Sequence, residues 1–154
     1  MYNLKNLSLP AYDFRYTEKE GKRYIFDKIR KKHVLLTPEE WVRQNFISYL
    51  IREKGYPQSL VRVEMFFKLN RLSKRADIAL FNKSGKPKVL VECKSPKVRI
   101  SQTVFEQVAR YNLSFEVDYL IVTNGLQHYC CKMDYERKSY TFVNEMPSFK
   151  EIQN

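Results

Sequence analysis

Cysteine, histidine, glycine and long apolar runs are all scarce in this chain of 154 residues, and each scarcity narrows what it can be. Three cysteines, two of them adjacent (Cys130 and Cys131), make neither a disulfide framework nor the paired spacing of a metal knuckle. They read as small apolar packing groups in a reducing setting, so a cytoplasmic protein is expected. The two histidines, His33 and His128, lie far apart with no third ligand at a recognisable spacing, which argues against zinc. The four glycines form no Gly-rich loop ending in Lys-Ser/Thr, so no ATP-driven motor is expected in this chain. No apolar run nears the ~20 residues that a bilayer span requires. The opening MYNLKNLSLP lacks the apolar centre of a secretory leader, and no membrane partner is expected.

What the chain does have is charge and aromatic bulk. Hydrophobic residues make up 44% and aromatic residues 14%, enough to pack one core at this length. Twenty-eight Lys and Arg against seventeen Asp and Glu leave a formal charge of +11. Basic side chains release the counterions condensed on phosphates, so the balance favours polyanion partners. Composition does not choose between an enzyme and a binding module.

No repeat or flexible linker divides the sequence. Residues 1–23 read as an N-terminal arm, 24–145 as one domain and 146–154 as a C-terminal tail. Tyr24–Ile29 could form a short strand before a basic turn, Arg30–His33. Thr37-Pro38-Glu39-Glu40 is a strong helix start: a capping threonine, proline at the first helical position, and a glutamate three residues after the cap to complete a capping box. That helix should run to about Glu53, stop at Gly55, and bury Val42, Phe46, Tyr49 and Leu50. Strands are predicted over Val61–Leu69, Arg75–Phe81 and Lys88–Lys94, the last two joined by an Asn82–Pro87 hairpin loop. Ser101–Glu116 reads as a second helix with a buried stripe of Val104, Val108, Tyr111 and Phe115. Asp118–Thr123 is a further strand, and a hairpin of about Gln127–Met133 and Ser139–Val143 follows. The order predicts an α/β domain, a mixed central sheet flanked by helices.

One group of residues points to chemistry. Glu92 and Lys94 share a face near the end of an apolar strand, and a hairpin would bring Asp77 beside Glu92. Two carboxylates and an ammonium at one place suit divalent-metal phosphodiester cleavage. The carboxylates hold a hard cation, and the lysine positions the attacking water and offsets charge on the phosphate.

Thr37–Gln44, then Arg75-Ala76-Asp77-Ile78, Val91-Glu92-Cys93-Lys94-Ser95-Pro96, Gln107–Asn112 and Thr123-Asn124-Gly125 follow in order. Together these blocks resemble the N-terminal nuclease domain of type I restriction enzyme R subunits, within the PD-(D/E)XK nuclease superfamily. The likeness runs from about Tyr24 to Val143. It implies a restriction-endonuclease-like αβββαβ core with an added C-terminal β-hairpin, and DNA cleavage with Mg²⁺ or Mn²⁺. By position, Asp77 and Glu92 match the metal-binding acids and Lys94 the catalytic lysine. Gln107 and Tyr111 match a Gln-X-X-X-Tyr element that lies beside the site and contacts DNA or orients catalytic groups. The resemblance also implies a glutamate from the first helix. Glu39 falls within about 35° of the centre of the apolar face, whereas Glu40 lies roughly 135° away and serves the cap. Ala76 stands where the superfamily's proline would be. Lys97, Arg99 and Arg110 are candidate DNA-phosphate contacts, as are Lys83, Lys86 and Lys88. Partners expected are DNA and, for two-strand cutting, a homodimer or larger assembly. The alternative is a non-catalytic nucleic-acid-binding module or an interaction subunit of a restriction-type assembly.

Overall fold

A computed structural model describes residues 4–69, 71–112 and 115–154. Two sheets and two helices account for most of it. A three-stranded antiparallel meander, β1 (Tyr16–Lys19), β2 (Lys22–Asp27) and β3 (Lys32–Leu35), precedes helix α1 (Pro38–Lys54). A six-stranded sheet follows in spatial order β4 (Val61–Leu69), β5 (Leu72–Phe81), β6 (Pro87–Cys93), β7 (Tyr119–Thr123), β8 (His128–Asp134) and β9 (Ser139–Val143). Only the β6–β7 pair is parallel, and helix α2 (Gln102–Asn112) supplies the crossover that a parallel pair needs. The sheet is therefore mixed, as the sequence predicts. No described helix is long and apolar enough to cross a membrane.

The two faces of the sheet carry separate cores. On one, Val42, Phe46, Ile47 and Leu50 of α1 pack on Ile78, Leu80, Val89, Val91 and Ile121. On the other, Phe105 and Ala109 of α2 pack with Leu90, Leu120, Val122 and Cys131. Val89-Leu90-Val91 alternate between these cores, which is why β6 reads as an unbroken apolar run. All three cysteines are free and buried.

Helix α1 begins and ends as predicted, with the Glu40 N–H donating to Thr37 Oγ1 (3.0 Å) and Gly55 closing it in the left-handed region (φ 77°). Helix α2 departs from prediction. Among its described residues, Gln102–Asn112, the most buried are Phe105, Ala109 and Asn112 rather than the row of Val104 and Val108, which are half-buried. Phe105 fills the space over the sheet, and the small Ala109 lets the helix approach it. Phe115 is buried in the same core from beyond the helix. The side chain of Tyr111 lies outside the described residues.

The described residues of the predicted arm and the predicted tail are both structured. The predicted arm supplies β1 and the start of β2, and the basic turn is shorter than read, since β3 begins at Lys32. In the predicted tail, Ile152 is buried and Tyr56 donates its hydroxyl to Pro147 O (2.8 Å).

The Thr123–Gly125 turn ties distant segments together. Thr123 O accepts the Lys94 N–H (2.8 Å), Asn124 Nδ2 donates to Val98 O (2.8 Å), and Ser8 N donates to Gly125 O (2.8 Å). Gly125 has φ 85°, a left-handed conformation that favours glycine, and a Cβ there would push on the Leu7 side chain at 2.7 Å.

His128 locks the same turn. Ser8 O can only accept, so Nε2 carries the proton (3.0 Å), and Nδ1 takes the Thr123 hydroxyl proton at 2.7 Å. Burial lowers the imidazole pKa below its usual 6.5, against the raising effect of Ser8. A depressed folded pKa means stability is complete above the unfolded value and is lost as pH falls from there through the folded value. Urea unfolding should therefore show wild type weakening more than His128→Gln as pH drops below about 6.5; parallel pH curves would refute the assignment.

Candidate active site

Asp77 is where the sheet stops being regular. Val63 pairs with Ile78 and Met65 with Ala76, but between them Glu64 sits at φ 52°, a strained conformation for a residue with a side chain. Ala76 packs in the α2-side core and Ile78 in the α1-side core, so the two-residue alternation breaks at Asp77. The β5–β6 ladder reaches Ile78–Val91. Beyond it, the Asp77 carboxylate takes the place of a backbone acceptor: Oδ2 receives the Cys93 N–H at 2.7 Å. Oδ1 receives Arg43 Nη2 from α1 at 3.0 Å.

Around this point the charges gather. Arg43, with only 6% of its side chain exposed, also reaches Glu40 (3.0 Å), Glu39 (3.6 Å) and Glu64 (3.6 Å). Glu92, 12% exposed, is paired with Lys74 of β5. Burial holds the Glu92 carboxyl above the ordinary glutamate range; Lys74 pulls it down and the Asp77 charge pushes it up. Glu39 is about half exposed, and burial and then Asp77 raise its pKa, while Arg43 and Lys94 lower it. Lys94 is thus within electrostatic reach of both Glu39 and Glu92, its backbone fixed to Thr123. Cys93 between the two site residues is fully buried, and burial followed by Asp77 raises its thiol pKa well above normal, which keeps it protonated.

Four predicted site residues, Asp77, Glu92, Lys94 and Glu39, therefore lie within electrostatic reach of one another around the end of β6. The Glu40 carboxylate does not complete the predicted capping box; only its backbone N–H joins the cap. The carboxylate accepts from Arg30 Nη2 (2.8 Å), Arg43 Nη1 (3.0 Å) and Gln44 Nε2 (3.1 Å), because two nearly buried guanidiniums compete better for it than the cap. Gln107 is exposed on α2, and no hydrogen bond joins it to Asp77, Glu92 or Lys94 among the described residues. Lys97, Arg99 and Arg110 are exposed. Sequence reading missed Arg43, Lys74, Arg30 and Glu64. Only Arg43 left a signal, four residues after Glu39 and three after Glu40 on one helix.

An open cleft of about 540 Å³ lies next to this group, lined by Leu35, Glu39, Glu40, Arg43, Glu64 and Ser95 among others; of the four it is Glu39 that reaches its wall. A second hollow of about 520 Å³, between the start of α2 and the β8–β9 edge, holds none of the three acids and the lysine gathered at β6. Among the described residues no three His, Cys, Asp or Glu side chains are arranged as a ready-made metal set. Asp77 and Glu92 nevertheless offer only carboxylate oxygens, the donors a hard divalent cation prefers. Each oxygen has two lone-pair positions, so the bonds to Arg43, Cys93 and Lys74 do not exhaust them. The donor set fits Mg²⁺ or Mn²⁺, with Lys74 as the neutralising charge such an ion would compete with.

Residues 38–147 match the family described as type I restriction enzyme R protein N terminus. Among solved structures, a fragment described as an HsdR subunit of a type I restriction enzyme from Vibrio vulnificus YJ016 is similar at 20% identity with a TM-score of 0.52. The alignment covers 76% of this chain and 24% of that one, so the chain spans about a quarter of the length of that structure. No curated protein matches the chain in sequence.

Proposed function

We propose, from the premise that the chain belongs to the type I restriction enzyme R protein N-terminal family, that it hydrolyses DNA phosphodiester bonds with the help of Mg²⁺ or Mn²⁺. The observation that carries this reading is the gathering of Asp77, Glu92, Glu39 and Lys94 around the end of β6 beside an open cleft. In this reading α1-β4-β5-β6-α2-β7 is the restriction-endonuclease-like αβββαβ core, and β8–β9 is the added hairpin. Asp77 and Glu92 would hold the cation. When bound, such an ion supplies positive charge to the scissile phosphate and to the attacking water. Lys94 orients that water and stabilises charge on the phosphate as the bond breaks. Arg43 holds the Asp77 carboxylate in place through Oδ1, and Glu39 completes the acidic wall. Lys97, Arg99, Arg110, Gln107 and Tyr111 extend the DNA contact. The chain acts in the cytoplasm, on DNA, as a homodimer or within a larger restriction-type assembly.

A second reading has its own observation. Asp77 and Glu92 are already neutralised by Arg43 and Lys74, as a domain that binds DNA without cutting it would need. Calorimetric titration of Mn²⁺ with parallel nicking of plasmid DNA separates the two. Wild type should bind the ion and nick, and Asp77→Asn should lose both. Salt-sensitive DNA binding with neither cation binding nor nicking in wild type would establish the non-catalytic module.

A further inference from the structure

The β1–β3 meander lies before the residues that match the family, and its two faces differ in charge. Cross-strand partners share a face. Thr17 pairs with Tyr24, Lys19 with Lys22, Tyr24 with Leu35 and Phe26 with His33. The Phe26 N–H donates to Arg15 O (2.8 Å), which places Arg15 opposite Phe26 on the same face. That face carries Arg15, Lys19, Lys22 and His33, all exposed, and no acid. The strand acids, Glu18 and Asp27, lie on the other face, where Ile25 and Asp27 are buried.

Aromatic planes are interleaved with these cations. The Arg15 guanidinium lies over the Phe26 ring at 4.1 Å, and the His33 ring meets the edge of Phe26 at 5.2 Å. Arg15 is exposed as well as seated over the ring, so its guanidinium stays accessible as a stacking surface for a base. Among the described residues Arg15, Lys19 and Lys22 form no ion pair. At the far side of the face Leu35, 43% exposed, lines the cleft that also holds Glu39 and Arg43. The turn that sets the β1–β2 register, Glu20-Gly21, has φ 53° and 75°, the pattern of a rigid two-residue hairpin.

We propose that this face of the meander is a platform for single-stranded nucleic acid, which stacks bases on the Arg15–Phe26 pair and leads the strand past Leu35 into the cleft. Duplex DNA hides its base planes, so a face that sets exposed cations among half-buried rings suits an unpaired strand. The inference rests on the nuclease reading for what happens in the cleft, not for the binding itself.

The test is fluorescence anisotropy of labelled oligothymidine and of a labelled duplex in EDTA, where cleavage cannot interfere. Arg15→Lys keeps the charge and loses the plane; it should weaken oligothymidine binding by about fivefold or more and leave duplex binding little changed. Lys19→Gln with Lys22→Gln should flatten the slope of log affinity against log salt by about 1.4. Every altered side chain is exposed, so circular dichroism should show an intact fold. Unchanged oligothymidine binding in both variants overturns the platform, as does an equal loss on duplex and single strand for Arg15→Lys. Loss of nicking in Lys94→Ala with oligothymidine binding intact supports the platform apart from the site. A protein that binds oligothymidine as proposed but never nicks DNA would defeat only the nuclease reading.

Discussion

A Lys94→Ala variant is expected to nick DNA about 10²–10⁴-fold more slowly than wild type while keeping its fold and its Mn²⁺ affinity. The fold survives because the structural demand at this position falls on the backbone: the Lys94 N–H donates to Thr123 O, and alanine retains that bond. Chemistry suffers because Lys94 brings the site a positive charge felt by both Glu39 and Glu92, while no ion pair among the described residues ties it to either. Lys74 and Arg43 are already committed to carboxylates, so neither is placed to take over. Removing the ammonium should also raise the carboxyl pKa values of Glu39 and Glu92 further, shifting the acidic limb of the pH–rate profile upward. Single-turnover rates across pH would reveal both effects. Activity within threefold of wild type, with an unmoved profile, would remove Lys94 from the mechanism and return the site to a structural ion network.

Much of this site was legible in the sequence, because the parts that follow local rules sit where local rules put them. Thr37 and Pro38 start α1 at the predicted place, and Glu39, one position on, faces the site as the helical angle requires. The apolar run Val89-Leu90-Val91 ends in Glu92 because β6 is buried on both faces until it leaves the cores. Asp77 was found by residue type and order, but its aim was not readable. Its carboxylate turns to α1 only because Glu64 adopts a left-handed backbone opposite it and the strand's alternation breaks there. No pattern of residues along β5 announces that. Lys74 was hidden for the same reason, since its pairing with Glu92 depends on the register of two strands rather than on spacing within one. Of the meander only β2 was expected, as Tyr24–Ile29; β1 and β3 were missed because they are short and mostly polar, so periodicity is faint. In α2 two adjacent rows compete, and the bulk of Phe105 decided the packing.

Arg43 is the residue whose loss should cost the protein most stability. It is nearly buried on a helix otherwise packed against the sheet, yet it holds Glu40 on its own helix and Asp77 on β5, each at 3.0 Å, with Glu64 of β4 at 3.6 Å. Burial lowers the guanidinium's tendency to stay charged, but Glu40 and Asp77 more than restore it. One charge therefore neutralises acids from three elements and binds α1 to the irregular point of the sheet. Arg43→Met fills similar space but leaves Asp77 facing the helix without its cation, and Glu40 with Arg30 as its remaining guanidinium partner. Breaking a buried pair by removing one partner costs about 3–5 kcal/mol, which for a domain of this size is a fall in Tm of about 6–20 °C. Arg43→Lys should fall between, since an ammonium cannot reach two carboxylates with a planar fork. The diagnostic step is the double variant Arg43→Met with Asp77→Asn. Once the guanidinium is absent the second change should cost less than it does alone, because it removes the stranded charge. Strict additivity in calorimetric unfolding, or a Tm for Arg43→Met close to wild type, would mean that Asp77 is held by the Cys93 N–H and not by the helix.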